Sequence, residues 1–169
     1  MIINQTLEAL KQIKGQSYIG EGYFQEFNCK FNPPSTIKEI KTFEKKNKCT
    51  IPEDYLEFLL KNNGLNFNEG DRFHSLEEIV EVLKSRAEAF VPYKKGIYPI
   101  AYILEDYIVI KSDEIHTGKY MYAGSCCSTD EYYSLNCNFE TFLDHYIIAN
   151  ANNYWQWSYS SEYFNFVDE

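Results

Sequence analysis

The hydrophobic period of this chain changes near Tyr98, and that change limits the folds open to it. Before it, apolar residues recur at helical spacing. Ile3, Leu7, Leu10 and Ile13 fall on one face of an opening segment that Gly15 can end. Thr36 and Glu39 form a capping-box pair ahead of the stripe Ile37, Ile40 and Phe43, whose polar side is lysine-rich (Lys38, Lys41, Lys45, Lys46, Lys48). Ser75 and Glu78 repeat the device before Ile79, Val82, Leu83 and Phe90, and Pro92 ends that run. After Tyr98 the texture is different. IYPIAYIL, DYIVIK, GKYMYAG and EYYSLNC are short, β-branched or aromatic, and separated by turn-forming residues, as strands are. Helical spacing returns through Phe139, Phe142, Leu143 and Tyr146. With no internal repeat or linker, the pattern predicts one α+β domain over residues 1–169, helices early and strands late. Gly15–Asn32 is of mixed texture, and the aromatic, acidic tail does not discriminate strand from coil.

The stretch TIPEDYLEFLLKNNGLNF, Thr50 to Phe67, carries the clearest punctuation. Pro52 suits the first helical position, where its missing N–H has no partner to lose. Glu53 and Asp54 complement the helix dipole in the first turn, and Lys61 does so in the last. Tyr55, Leu56, Phe58, Leu59 and Leu60 form a wide apolar arc, which predicts a largely buried helix, and Gly64 suits a left-handed position after its end.

Charge is unevenly spread. Residues 1–100 carry fourteen cationic and fourteen anionic side chains, whereas residues 101–169 carry Lys111 and Lys119 against eleven carboxylates. The whole net charge of -9 therefore belongs to the last part of the chain. Such a field repels phosphate backbones and attracts basic partners, so nucleic acid is not an expected ligand. No apolar run approaches the ~20 residues that span a bilayer, and the first residues lack the apolar core of a signal peptide. Five cysteines (Cys29, Cys49, Cys126, Cys127, Cys137) do not read as a disulfide framework. The expectation is a cytoplasmic protein, monomeric or weakly dimeric, without a membrane anchor.

Catalysis finds little support. Cys126, Cys127, Cys137 and His145 are near in sequence but form no metal-binding spacing, and no cofactor or metal is expected. Cys126 or Cys127 with His116 or His145, and Asp144 as a third group, lacks any surrounding motif for nucleophilic chemistry. The acid pairs Glu105-Asp106, Asp113-Glu114, Asp130-Glu131 and Asp168-Glu169 are the residue type a glycosidase needs, but at strand ends they read as solvated turns. No glycine-rich phosphate loop is present. What remains is a surface. With 15 Tyr, 12 Phe and 2 Trp, the chain has aromatic side chains for a core, a contact surface or both. Asp113, Glu114, Asp130, Glu131, Tyr132, Tyr133, Trp155 and Trp157 combine carboxylates that steer a basic partner with rigid contact area, and they are the candidate binding residues. For the two tryptophans, core packing is the equally weighted alternative.

The order of these segments resembles the SUKH superfamily, the bacterial immunity proteins that also include yeast cell-wall regulators of the Smi/Knr type. Pro33-Pro34-Ser35 before Ile37, with Phe43-Glu44, is similar to the first helix of that family. Ile51-Pro52-Glu53-Asp54-Tyr55, Phe58-Leu59 and Asn62-Asn63-Gly64 match its most recognisable segment, and Phe73–Ile79 the strand and helix start that follow. Tyr98–Ala101, Tyr107–Ile110 and Gly118–Tyr122 fall where its later strands belong, and Phe139–Leu143 resembles its closing helix. The match covers about residues 33–148, with 1–32 as a helix and lead-in and 149–169 as the tail. Leu104-Glu105-Asp106 stands in place of the usual Gly-Gly-containing turn, and the tail has no counterpart. The resemblance implies a central, mainly antiparallel sheet packed against helices. It also implies neutralisation of a cognate bacterial toxin, commonly a nuclease, by direct binding; the acidic, aromatic C-terminal part then suits covering the active site of a basic toxin domain. It brings no catalytic residues. The rival readings are a non-enzymatic scaffold that binds a host protein and a hydrolase with a paired-carboxylate site.

Overall fold

A computed structural model of the chain describes residues 2–13, 15, 17–20, 23–26, 28–67, 70–89, 91–125, 131–149 and 151–156. Helix α1 (Ile2–Ile13) is followed by strands β1 (Ser17–Gly20) and β2 (Tyr23–Glu26), an antiparallel hairpin separate from the main sheet. β3 (Cys29–Phe31) then leads into α2 (Ile37–Asn47) and α3 (Glu53–Leu59). β4 (Leu65–Phe67) and β5 (Asp71–Phe73) precede α4 (Leu76–Glu88), and β6 (Ile97–Ile103) and β7 (Asp106–Lys111) precede a 3₁₀ helix, Ser112–Thr117. β8 (Met121–Ser125), β9 (Tyr133–Ser134) and α5 (Phe139–Ile148) close the fold. Strands β3 to β9 form one seven-stranded sheet in sequence order, and every neighbouring pair is antiparallel. The α+β architecture expected from the change of period is the one the chain adopts. Gly15–Asn32, mixed in texture, supplies three short strands.

Local chemistry sets the helix starts. The Thr36 hydroxyl accepts the Glu39 N–H at 3.3 Å while the Glu39 carboxylate accepts the Thr36 N–H at 2.7 Å. Ser75 and Glu78 make the same reciprocal pair at 3.2 and 2.7 Å, and Asn138 accepts the Thr141 N–H at 2.9 Å at the head of α5. In α2 the buried arc is carried by Ile40 and Phe43. Ile37, expected in that stripe, lies at its edge in the first turn and is 52% exposed. Two details of the IPEDY segment also differ from expectation. Pro52 is the residue before the helix, with extended ψ of 156°, and α3 ends at Leu59, so Lys61 follows it. Gly64 does have a positive φ of 93°, but four residues beyond Leu60, where it turns the chain into β4. A Cβ there would sit 2.7 Å from the Ser75 nitrogen and 2.9 Å from the Phe73 carbonyl oxygen, so only glycine fits the close approach of the two segments.

The core is one cluster built around aromatic rings. Phe73, from a strand of three residues, meets Phe58, Phe67, Phe139, Phe142 and Tyr146 with ring centroids 5.7–6.2 Å apart. α1 packs on α3 and α5, placing Ile3, Leu7 and Leu10 inside. The β6–β7 turn uses Leu104 and Glu105 at φ 45° and 69°, the left-handed pair of a type I′ turn without the glycine that eases it. The Asp71 carboxylate holds that turn, accepting the Leu104 N–H at 3.0 Å and the Tyr146 hydroxyl at 3.3 Å. Burial raises the Asp71 pKa, and those two donors oppose the rise.

Candidate functional site

Asp54, the acid of the IPEDY segment, is the hinge-pin of the surface that follows. One of its oxygens accepts the Tyr55 N–H at 2.8 Å in the first turn of α3, and the other accepts the Glu140 N–H at 3.0 Å in the first turn of α5. The Tyr120 hydroxyl donates to the same carboxylate and accepts the Phe139 N–H at 3.2 Å. One carboxylate and one phenol thus satisfy three N–H groups at two helix N-termini, where negative charge is favoured. Burial, and then the bond to Asp54, push the Tyr120 pKa upward, which keeps that hydroxyl protonated.

The consequence is that the heads of α3 and α5 stand side by side and enclose a groove of ≈ 650 Å³ with the 3₁₀ helix. Leu56, Leu60, Ile115 and Tyr120 give it apolar and aromatic surface, and Glu53, Asp54, Glu57 and Glu140 line it with carboxylates. No lysine or arginine is among its lining residues. Such an arrangement presents contact area for a side chain or short segment together with a field that selects cations.

The eight residues singled out from sequence meet different fates. Asp113 is exposed on the 3₁₀ helix beside the groove. Glu114, on the same helix, accepts the Tyr122 hydroxyl at 2.5 Å and lies 3.7 Å from the Lys111 ammonium. Glu131 is exposed, and Tyr133, 40% exposed on edge strand β9, reaches the Asp106 carboxylate at 3.3 Å. Tyr132 stacks on Tyr93 with centroids 6.1 Å apart, over Gly124, whose missing side chain leaves room for the ring. Trp155 is not a surface residue: it is 8% exposed, packs on Phe142, Tyr146 and Tyr154, and donates its indole N–H to Asp106 at 3.0 Å. Asp130 and Trp157 lie outside the described residues. The structure therefore does not gather the eight into one patch, and it adds Glu53, Glu57 and Glu140. Sequence reading passed over the first two because the charge of residues 1–100 sums to zero; the i, i+4 spacing of Glu53 and Glu57 on one helix was the signal available.

The residues considered for catalysis are dispersed. The Glu105-Asp106 pair splits, Glu105 exposed in the turn and Asp106 buried beneath Trp155 and Gln156. His116 Nδ1 faces its own helix at the Asp113 carbonyl, 2.9 Å away, and His145 packs on Tyr154. Burial lifts the thiols of Cys49 and Cys137 to about 12 and about 11, which keeps them protonated and poor as nucleophiles. Cys126 and Cys127 are outside the described residues. Among the described residues no helix is long and apolar enough to cross a membrane.

An antiparallel sheet covered by helices, with an acidic groove where two helix heads meet, defines an α+β domain with a surface feature suited to binding. The chain belongs to the SMI1/KNR4 family (SUKH-1), whose sequence model matches residues 34–145. It is similar to two uncharacterized proteins of Bacillus subtilis strain 168. One, YobM, is 34% identical over 93% of this chain and 92% of its own length; the other, YnaB, is 31% identical over 82% of this chain and 95% of its own.

Proposed function

We propose that the protein is an immunity protein that binds a cognate bacterial toxin and blocks its active site, acting by occupation and not by catalysis. The observation that carries this reading is the groove between α3 and α5, lined by Glu53, Asp54, Glu57 and Glu140 without a lining cation, in a member of this family. A nuclease or other toxin acting on polyanions has a basic site, and a carboxylate-lined surface competes for the same cations. Asp113 and Glu114 extend the field along the 3₁₀ helix, and Glu131 and Tyr133 offer further contacts at the sheet edge. The partner is a protein, the chain needs no cofactor, and the complex forms in the cytoplasm.

Co-expression with a basic toxin domain, taken from a gene adjacent to its own, tests the proposal. The expected result is that cells survive and the two proteins co-purify. Replacing Glu53→Lys and Glu140→Lys together should weaken binding by roughly 100-fold, since two rim charges change sign, while the circular dichroism melt stays within a few degrees of the parent. Absence of both protection and binding would sink the reading for that pair. Binding that the double replacement does not alter would move the contact away from the groove.

A further inference from the structure

A second groove, of ≈ 590 Å³, runs between α2 and α4 and shares no lining residue with the acidic one. Phe43, Leu76 and Val80 form its apolar surface. Its walls differ in net charge: α2 contributes Lys38 and Lys46 together with Glu39, whose carboxylate is engaged at the Thr36 cap, and α4 contributes Glu77 and Glu81. Two large apolar side chains stand exposed here, Val80 in the groove at 42% and Ile37 beside it at 52%. The ion pairs of these two helices run along each helix, Lys41–Glu44 and Lys84–Glu88; among the described residues none crosses the groove. The two walls are thus left facing outward with unlike charge.

A partner of one sign would be drawn by one wall and repelled by the other. A second copy of the same chain is not. A two-fold rotation sets α2 of one copy against α4 of the other, and the reciprocal pair forms at the same time. Lys38 and Lys46 of each copy then meet Glu77 and Glu81 of its mate, and Ile37 and Val80 leave water together. We propose that the α2–α4 groove is the interface of a two-fold symmetric homodimer of this chain. This rests on charge and exposed apolar side chains at a face separate from the acidic groove, so it stands or falls independently of the toxin reading.

Sedimentation velocity of the full chain from micromolar to millimolar concentration reads the result directly. The parent protein should shift from monomer to dimer. Lys38→Glu with Lys46→Glu makes both walls acidic, and Glu77→Lys with Glu81→Lys makes both basic; each pair should weaken self-association by more than about tenfold, because like charges then face each other. An equimolar mixture of the two should associate again, since both reciprocal contacts are restored with inverted sign. Glu77 also accepts the Asn63 side-chain amide at 3.1 Å, so Glu81→Lys alone is the gentler variant, and circular dichroism melts confirm that each chain is folded. A parent that stays monomeric throughout, a dimer indifferent to both double replacements, or a mixture that stays monomeric would each overturn the proposal.

Discussion

His74 is buried at the start of the α4 connection, 3% exposed, and neither ring nitrogen has a hydrogen-bond partner among the described residues. Its backbone is fixed by the bond from its N–H to the Ile100 carbonyl at 2.8 Å, and its ring lies against Tyr107. Burial is the main reason its pKa falls from 6.5 to about 4; Glu78 opposes the fall and Arg72 adds to it. The sign follows directly. Between those two values the unfolded chain takes up a proton that the folded chain refuses, so stability from this group is complete above about pH 6.5 and lost as pH falls toward 4. The loss amounts to ~3 kcal/mol at the limit. Urea midpoints at pH 7 and pH 4 should fall more steeply for the parent than for His74→Leu, and parallel curves for the two would show that the imidazole is not the cause.

At the scale of elements, Asp54 and Tyr120 determine how α3 and α5 meet. Asp54→Ala leaves the Tyr55 and Glu140 N–H groups without their acceptor and should cost about 2–4 kcal/mol; Tyr120→Phe removes the acceptor of Phe139 and should cost about 1–2 kcal/mol. Chemical denaturation of the two single variants and the double variant forms a cycle, and the double loss should be smaller than the sum because the two side chains act as one network. Strict additivity would mean that they act separately. None of this was legible in the sequence, since Asp54 and Tyr120 are 66 residues apart. What could be read was local: the boxes at Thr36 and Ser75 declare themselves within four residues, and the stripe Phe139, Phe142, Leu143 and Tyr146 within eight. β1 to β3 escaped notice because strands of three or four residues are too short to display a period. Trp155 could belong to core or surface until its acceptor, Asp106, 49 residues earlier, was placed beneath it. Of the acidic groove's four carboxylates only Glu140 falls in the acid-rich stretch after residue 100; Glu53, Asp54 and Glu57 hid in a segment of balanced charge.

At the scale of the whole molecule, charge differs between the described faces. α2 carries lysines on its exposed side, while the heads of α3 and α5 and the 3₁₀ helix carry acids. Under the proposed function a basic toxin would be steered to the acidic side before contact, so its association rate should fall several-fold as salt rises from 50 to 500 mM, roughly the range over which the Debye length shrinks from ~14 to ~4 Å. Stopped-flow mixing with the cognate toxin measures this, and a rate indifferent to salt would remove steering from the account. Within the same few residues, the groove divides support from recognition. Asp54 turns inward to hold two helices, and its sequence neighbour Glu53 stands outside with no duty to the core. Such a rim can be redrawn one side chain at a time while the frame beneath it keeps its shape.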